Sequence, residues 1–146
     1  MSRLAPVALA VLVGHAAAAP VPKDFRPNDA KAIVGKWHVD SVHDDGVLYP
    51  TYPTNVFFAF DGDGGFVQTA TGERNVFRRA YAYDPTGTPR RMTLLEKGAI
   101  IQQKWVYAVC GDTLLMGYPK GDAVPDAVGP TKGVLLYTLS RVPAGK

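Results

Sequence analysis

The stretch GKWHVDSV, Gly35–Val42, alternates apolar and polar side chains in the manner of a half-buried β-strand. Trp37, Val39 and Ser41 share one face, and the charged or polar residues between them share the other. Gly35 has no side chain, so it lets another group lie close to the start of this strand. We therefore predict that the folded domain begins here, with Trp37 as the largest inward group of the first strand.

Further segments with strand character follow, separated by short turns rich in Gly, Pro and Asp. The strongest turn signals are DDG at Asp44–Gly46 and DGDGG at Asp61–Gly65, because Asp-Gly pairs suit the positive φ of a tight hairpin. The predicted strands cover residues 35–43, 55–60, 66–70, 75–83, 90–96, 100–110, 113–118 and 133–141. Short strands with almost no helix predict an all-β fold, an eight-stranded up-and-down antiparallel barrel. A two-sheet sandwich is the alternative.

The N-terminal residues have the features of a secretory signal peptide. Arg3 supplies the positive charge, residues 4–13 form a short apolar core, and Ala16–Ala19 is a small-residue cleavage region. The apolar run is too short to be a transmembrane helix. We therefore expect export to the periplasm or the extracellular space, and no membrane span.

The remaining sequence divides into a leader, one domain and a short tail. A helical turn within residues 28–33 is expected to close one end of the barrel. The predicted boundaries are residues 1–19 for the signal peptide, 20–32 for a flexible leader, 33–142 for the barrel domain and 143–146 for the tail.

Composition argues against several classes of function. The chain has 16 Lys and Arg against 13 Asp and Glu, and most of these charges are interspersed. A nucleic-acid binder would carry a basic stripe, so we expect no nucleic-acid partner. Cys110 is the sole cysteine, so packing rather than an internal disulfide must hold an exported fold together. One basic group could meet an anionic ligand or simply form a solvated face; it comprises Arg74, Arg78, Arg79, Arg90 and Arg91.

Few residues offer catalytic or metal-binding chemistry. On a strand His38 and Asp40 point the same way and could share a divalent ion with a third group. His43 falls on the opposite face unless a bulge intervenes. The Asp61–Gly65 turn lacks the later oxygen ligands of a calcium loop. We expect no metal, no cofactor and no enzymatic activity; a metal-dependent or hydrolytic enzyme that uses the His38 and Asp40 region is an alternative.

Short motifs along the chain carry a resemblance to a known family. They are GKW at Gly35–Trp37, FAFDGD at Phe58–Asp63, YDPTGTPRRMTL at Tyr83–Leu94, YAVCGDTL at Tyr107–Leu114 and LSR at Leu139–Arg141. Together they resemble the lipocalin-like domain family that is abundant in planctomycete bacteria, over roughly residues 33–142. The last loop departs from the family, which has Arg-Pro and then an aromatic residue there. The resemblance implies an exported lipocalin-like barrel and no established activity.

The resemblance also implies structural roles for residues at the two ends of the domain. In lipocalins an arginine near the end of the last strand packs over the tryptophan of the first strand. Trp37 and Arg141 are the corresponding residues here, with Gly35 beside them. We expect a cation–π contact between them that closes the base of the barrel.

Aromatic residues on the predicted strands could either fill the barrel or line a ligand cavity. The tentative lining residues are Phe57, Tyr81, Trp105 and Tyr107. Two non-enzymatic functions stay open. One is an exported lipocalin-like domain that binds a small apolar ligand in the barrel. The other is an interaction or scaffold module of the cell envelope with a filled barrel.

Overall fold

The computed structural model describes residues 29–52, 55–72, 77–84, 87–95 and 102–145. The predicted signal peptide and residues 20–28 of the predicted leader lie outside this part of the chain. So do residues 75–76, 96 and 100–101 of the predicted strands.

The chain forms a short helical turn followed by strands. The elements are α1 (Asp29–Ala32), β1 (Gly35–Asp44), β2 (Val47–Leu48), β3 (Val56–Phe60), β4 (Gly65–Ala70), β5 (Phe77–Asp84), β6 (Arg90–Leu95), β7 (Gln102–Cys110), β8 (Thr113–Pro119) and β9 (Val134–Arg141).

The strands close into a barrel. The sheet order is β2-β1-β3-β4-β5-β6-β7-β8-β9, every pairing is antiparallel, and β1 also pairs with β9. The β1–β9 register runs from Trp37 opposite Arg141 to Asp44 opposite Leu135. Eight strands therefore form a closed up-and-down barrel, and β2 is an additional strand beside β1. This confirms the predicted barrel and excludes the sandwich, whose first and last strands would leave open edges.

The alternation of inward and outward side chains along β1 shifts by one residue at a bulge. Pairing with β9 slips between Val39 and Ser41, so one residue of β1 is left over at Asp40. Val42 is consequently buried in the core at 0% exposure, whereas Ser41 is only half-buried. The simple alternation that placed Ser41 inward is therefore wrong after Val39.

The base of the barrel is sealed around Trp37. The indole Nε1 of Trp37 donates to the carbonyl of Ile33 at 2.8 Å, just after α1. The Arg141 guanidinium lies over the indole with Cζ 4.1 Å from the ring centroid. It also donates to the carbonyls of Val34, at 2.9 Å, and of Ala32. The helical turn and the two terminal strands are thereby tied together.

Gly35 is the residue that permits this arrangement. Its φ is +132°, and a Cβ at this position would lie 2.9 Å from Nη1 of Arg141. A side chain would therefore be strained and would displace the guanidinium. Asp112, in the β7–β8 turn, completes the base with an Oδ1 3.3 Å from Nε of Arg141.

The long β8–β9 loop is anchored at the opposite end of the barrel. Lys120 Nζ lies 2.6 Å from a carboxylate oxygen of Asp44 and 2.9 Å from one of Asp45. The backbone N–H of Gly133 donates to Asp45 at 2.7 Å. These contacts lower the pKa of Asp45, chiefly through the Lys120 hydrogen bond. The loop is thus attached to the β1–β2 turn.

Candidate functional site

A cavity of about 200 Å³ opens through the barrel wall beside β1. Its lining residues come from the bulged part of β1 and from the segment that contains β2. They are Val39, Asp40, Ser41, Leu48, Tyr49, Pro50 and Tyr52.

The cavity arises from a mismatch in strand length. His43 pairs with Leu48, and His38 pairs with Phe57. Five steps along β1 therefore correspond to nine along the neighbouring segment, and the described residues 50–52 of that segment lie outside the sheet. Pro50 lies in this excursion and has no backbone N–H to contribute to a ladder.

On the side that faces β2 and β3, β1 is consequently unpaired over a short interval. β3 pairs with Gly35–His38 and β2 pairs with His43–Asp44. Tyr49 adds one bond, from its N–H to the carbonyl of Val42, at 2.8 Å. Within the described ranges no strand pairs with residues 39–41 on this side, and the cavity occupies that gap.

Asp40 is the charged residue of the cavity lining. With the imidazole proton on Nδ1, His38 donates to Oδ1 of Asp40 at 2.8 Å. The hydroxyl of Ser140, on β9, donates to the same oxygen at 3.0 Å. The side chain of Asp40 stays 43% exposed, so it is partly desolvated rather than buried.

The order of these three groups is not that of a catalytic triad. In a Ser-His-Asp triad the imidazole lies between the hydroxyl and the carboxylate, because it must take the hydroxyl proton. Here the carboxylate of Asp40 lies between Ser140 and His38. Ser140 is therefore a hydrogen-bond donor to Asp40 and is not activated as a nucleophile by this contact.

Tyr52 connects the cavity to the barrel interior. Its ring packs edge-on against Tyr137, with centroids 5.8 Å apart. Tyr137 in turn lies 5.6 Å from Trp105 and 5.4 Å from Phe58. Burial raises the pKa of Tyr137 far above the ordinary tyrosine value, and burial also raises the pKa of Tyr52. The Tyr52 ring, which is part of the cavity lining, thus packs directly against the aromatic core.

Three of the predicted lining residues do face the interior. Tyr81, Trp105 and Tyr107 are all buried in the core cluster. Tyr81 donates from its hydroxyl to the carbonyl of Asp61 at 2.7 Å, which ties β5 to the β3–β4 turn. Nε1 of Trp105 is buried without a hydrogen-bond partner among the described residues.

Phe57 is not one of the lining residues. It lies on the outer face, 5.2 Å from the His38 ring and with Lys36 Nζ 4.3 Å from its centroid. Alternate residues of β3 are buried, and Phe58 is one of them. Phe58 therefore points into the barrel, as had been expected of Phe57.

Aromatic rings fill the interior near the base. Phe66 lies 5.3 Å from Phe58 and 5.0 Å from Phe60. Phe60 packs edge-on against Tyr81 at 5.4 Å. An eight-stranded barrel is just wide enough for side chains to fill it or for one small ligand, and near the base these packed rings fill it.

The other candidate sites do not assemble. The bulge places His43 on the outer face with His38, yet the described residues hold no group of three or more His, Cys, Asp or Glu side chains suited to a metal ion. The Asp61 carboxylate accepts the backbone N–H groups of Asp63 and Gly65 and so caps its own hairpin. Cys110 is exposed.

The arginine group is divided between the two faces of the sheet. Arg78 is exposed on the outside, whereas Arg79 is half-buried and donates to Gln103 at 2.6 Å. Arg90 lies opposite the buried Tyr107. Arg91 faces outward, and Arg74 lies outside the described residues. These side chains therefore do not form one basic surface.

An exposed apolar rim borders the cavity. Val47 is 70% exposed, Leu48 is 54% exposed and Tyr49 is 50% exposed. Sequence reasoning missed both rim and cavity, although the run of apolar residues directly after the Asp-Gly turn was a signal for them.

Within the part of the chain that the structure describes, no helix has the length and apolar character needed to cross a membrane. Comparisons with protein-family models, with curated proteins and with solved structures found no match to this chain.

Proposed function

We propose that this protein is an exported lipocalin-like domain that binds a small ligand, and that the ligand occupies the wall cavity rather than the barrel axis. The observation that carries the proposal is a lined cavity of about 200 Å³ next to an interior packed with aromatic rings. The contact between Trp37 and Arg141 supports the lipocalin-like part, because the family resemblance implies this pair.

The dimensions of the cavity favour a ligand built on a single ring. Sites for drug-sized ligands have volumes of about 300–1,000 Å³, which exceeds the space available here. The lining combines apolar and aromatic residues, such as Leu48 and Tyr52, with the polar residues Asp40 and Ser41. A few polar groups in a mainly apolar lining are typical of binding sites for small molecules.

Binding without catalysis is part of the proposal. The central position of Asp40 between Ser140 and His38 supports it, because that order leaves the hydroxyl without an activating base in this contact.

A second candidate function is an interaction module of the cell envelope. The exposed rim of Val47, Leu48 and Tyr49 supports it, because neighbouring exposed apolar residues often mark contacts with partner proteins. In that case the cavity would receive one side chain of the partner.

The primary proposal is tested by titrating small single-ring alcohols and amines into ¹⁵N-labelled protein and recording amide chemical shifts. We expect shifts at the amides of residues 39–41 and of Leu48, Tyr49 and Tyr52, which line the cavity. Leu48→Ser should weaken the binding severalfold, because Leu48 lines the cavity. Val47→Ser is the matched control, since Val47 is more exposed and is not part of the lining.

Shifts confined to residues around Trp105, or no shifts with any probe, would contradict the wall site. Equal losses in the Leu48 and Val47 variants would instead favour the rim as a protein-contact surface.

A further inference from the structure

The wall cavity has a distinct charge character. Asp40 is an acidic residue, and none of the described lining residues is a Lys, Arg or His. A ligand that enters therefore meets one carboxylate and no fixed positive charge within the lining.

The carboxylate retains capacity for a further partner. Both hydrogen bonds that it receives, from His38 and from Ser140, end on Oδ1. Oδ2 receives none from the described part of the chain, and an ionised carboxylate can accept about four hydrogen bonds in all. The two donors fix the side chain of Asp40, which is one of the lining residues, so little rotamer freedom remains to be lost when a ligand binds.

The remaining lining suits the rest of an amphipathic cation. Tyr49 and Tyr52 contribute aromatic rings, which attract cations to their faces. Val39, Leu48 and Pro50 provide apolar surface for a hydrocarbon body. Lys36, on the outer face, is engaged over the ring of Phe57.

We infer that the wall cavity selects a small organic ammonium ion with an apolar body, its charge paired with Asp40 and its body against Leu48 and Tyr52. This inference rests on the proposed function, since it names the ligand class of the same cavity.

The test compares three probes that share a phenylpropyl skeleton and differ in charge: 3-phenylpropylamine, 3-phenylpropan-1-ol and 3-phenylpropionate. Titrations at about pH 8 and low salt keep an ordinary histidine largely neutral and the amine protonated. We expect the ammonium ion to bind about fivefold to tenfold more tightly than the alcohol, and the carboxylate to bind more weakly than either.

Asp40→Asn removes the charge and keeps an oxygen that accepts from Ser140. In this variant the preference for the ammonium ion over the alcohol should fall to about twofold or less. Asp122→Asn is the matched control, because it removes the same charge from an exposed residue of the β8–β9 loop. It should keep the wild-type preference.

If Asp40→Asn does not fold, the wild-type protein still provides a test. Raising the salt to about 1 M should reduce the affinity for the ammonium ion and leave that for the alcohol unchanged.

Equal affinities for the three probes in the wild-type protein, or a preference that persists in Asp40→Asn, would overturn the ammonium assignment. If the alcohol shifts the cavity amides in either case, the proposed function stands without that assignment. If no probe shifts them, the proposed function itself fails.

Discussion

Trp37 is held from two directions at the base of the barrel. Its indole N–H is bonded to Ile33, and the Arg141 guanidinium covers its ring at 4.1 Å. The guanidinium is itself fixed by the carbonyls of Ala32 and Val34. Trp37 therefore combines the burial of a large side chain with contacts to residues from both ends of the domain.

Trp37→Ala should lower the free energy of unfolding by about 3–5 kcal/mol, because it leaves a large cavity in the core. That is a major fraction of the total stability of a domain this size, about 5–15 kcal/mol. Arg141→Ala should cost less, about 1–3 kcal/mol, through loss of the cation–π contact and the carbonyl hydrogen bonds. Urea unfolding of the two variants measures both effects.

The double variant shows whether the two residues act together. Since they touch, its loss of stability should be smaller than the sum of the single losses. Additivity within about 0.3 kcal/mol would mean that the contact contributes nothing.

Tyr137 should make the free energy of unfolding depend on pH in the alkaline range. Burial raises its pKa in the folded protein above the ordinary value of 10.0, which applies to the unfolded chain. Below about pH 10 both states are protonated, so this residue adds no pH dependence. Above it the unfolded chain loses the proton first, and stability falls by up to about 1.4 kcal/mol per pH unit.

Unfolding titrations between about pH 9 and pH 11 test this, with Tyr137→Phe as the comparison. The variant should lose less stability over that interval than the wild-type protein. An identical pH dependence would show that the Tyr137 hydroxyl ionises as easily in the folded protein as in the unfolded chain.

Among the elements, the turns were the easiest features to predict. Asp45 and Gly46 have φ values of 53° and 85°, as an Asp-Gly hairpin requires. The strand pattern around Trp37 likewise predicted β1, because burial on one face imposes a period of two. Barrel closure followed from the number and spacing of such strands.

The site was not predictable because it depends on departures from that period. Nothing in the residue types around Asp40 marks the bulge, which is fixed by the register of β1 against β9. The excursion between Leu48 and Phe57 depends on pairing across the barrel as well. Phe57 and Phe58 are adjacent and equally apolar, so only the register decides which of them faces inward.

The backbone of the β1–β2 turn packs closely against the backbone of the long β8–β9 loop. A Cβ added to Gly46 would lie 3.1 Å from the carbonyl oxygen of Pro130, at a φ of +85°. Gly46→Ala should therefore cost about 1–2 kcal/mol and speed hydrogen exchange at Gly133. Gly121→Ala, in the long β8–β9 loop, is the control, because a Cβ there would meet nothing within 4 Å.

Equal stability of these two alanine variants would contradict a close contact between the turn and the loop. Faster exchange in both would also count against it.

At the scale of the whole molecule, the closed barrel surrounds a packed core, and the proposed ligand site lies in the barrel wall. The Trp37 and Arg141 contact seals one end, packed rings fill the adjoining interior, and the Asp44 and Asp45 carboxylates anchor the long loop at the other end. The cavity lies where strand pairing is interrupted, between the bulge of β1 and the residues that follow β2. A ligand bound at this place, as proposed, would leave the core packing intact.

The most direct measurement is a crystal structure of the protein soaked with a single-ring probe such as 3-phenylpropylamine. We expect electron density for the ring against Leu48 and Tyr52, with the interior rings unmoved. Density on the barrel axis beside Trp105, with Tyr137 displaced to admit the probe, would contradict a binding site in the barrel wall.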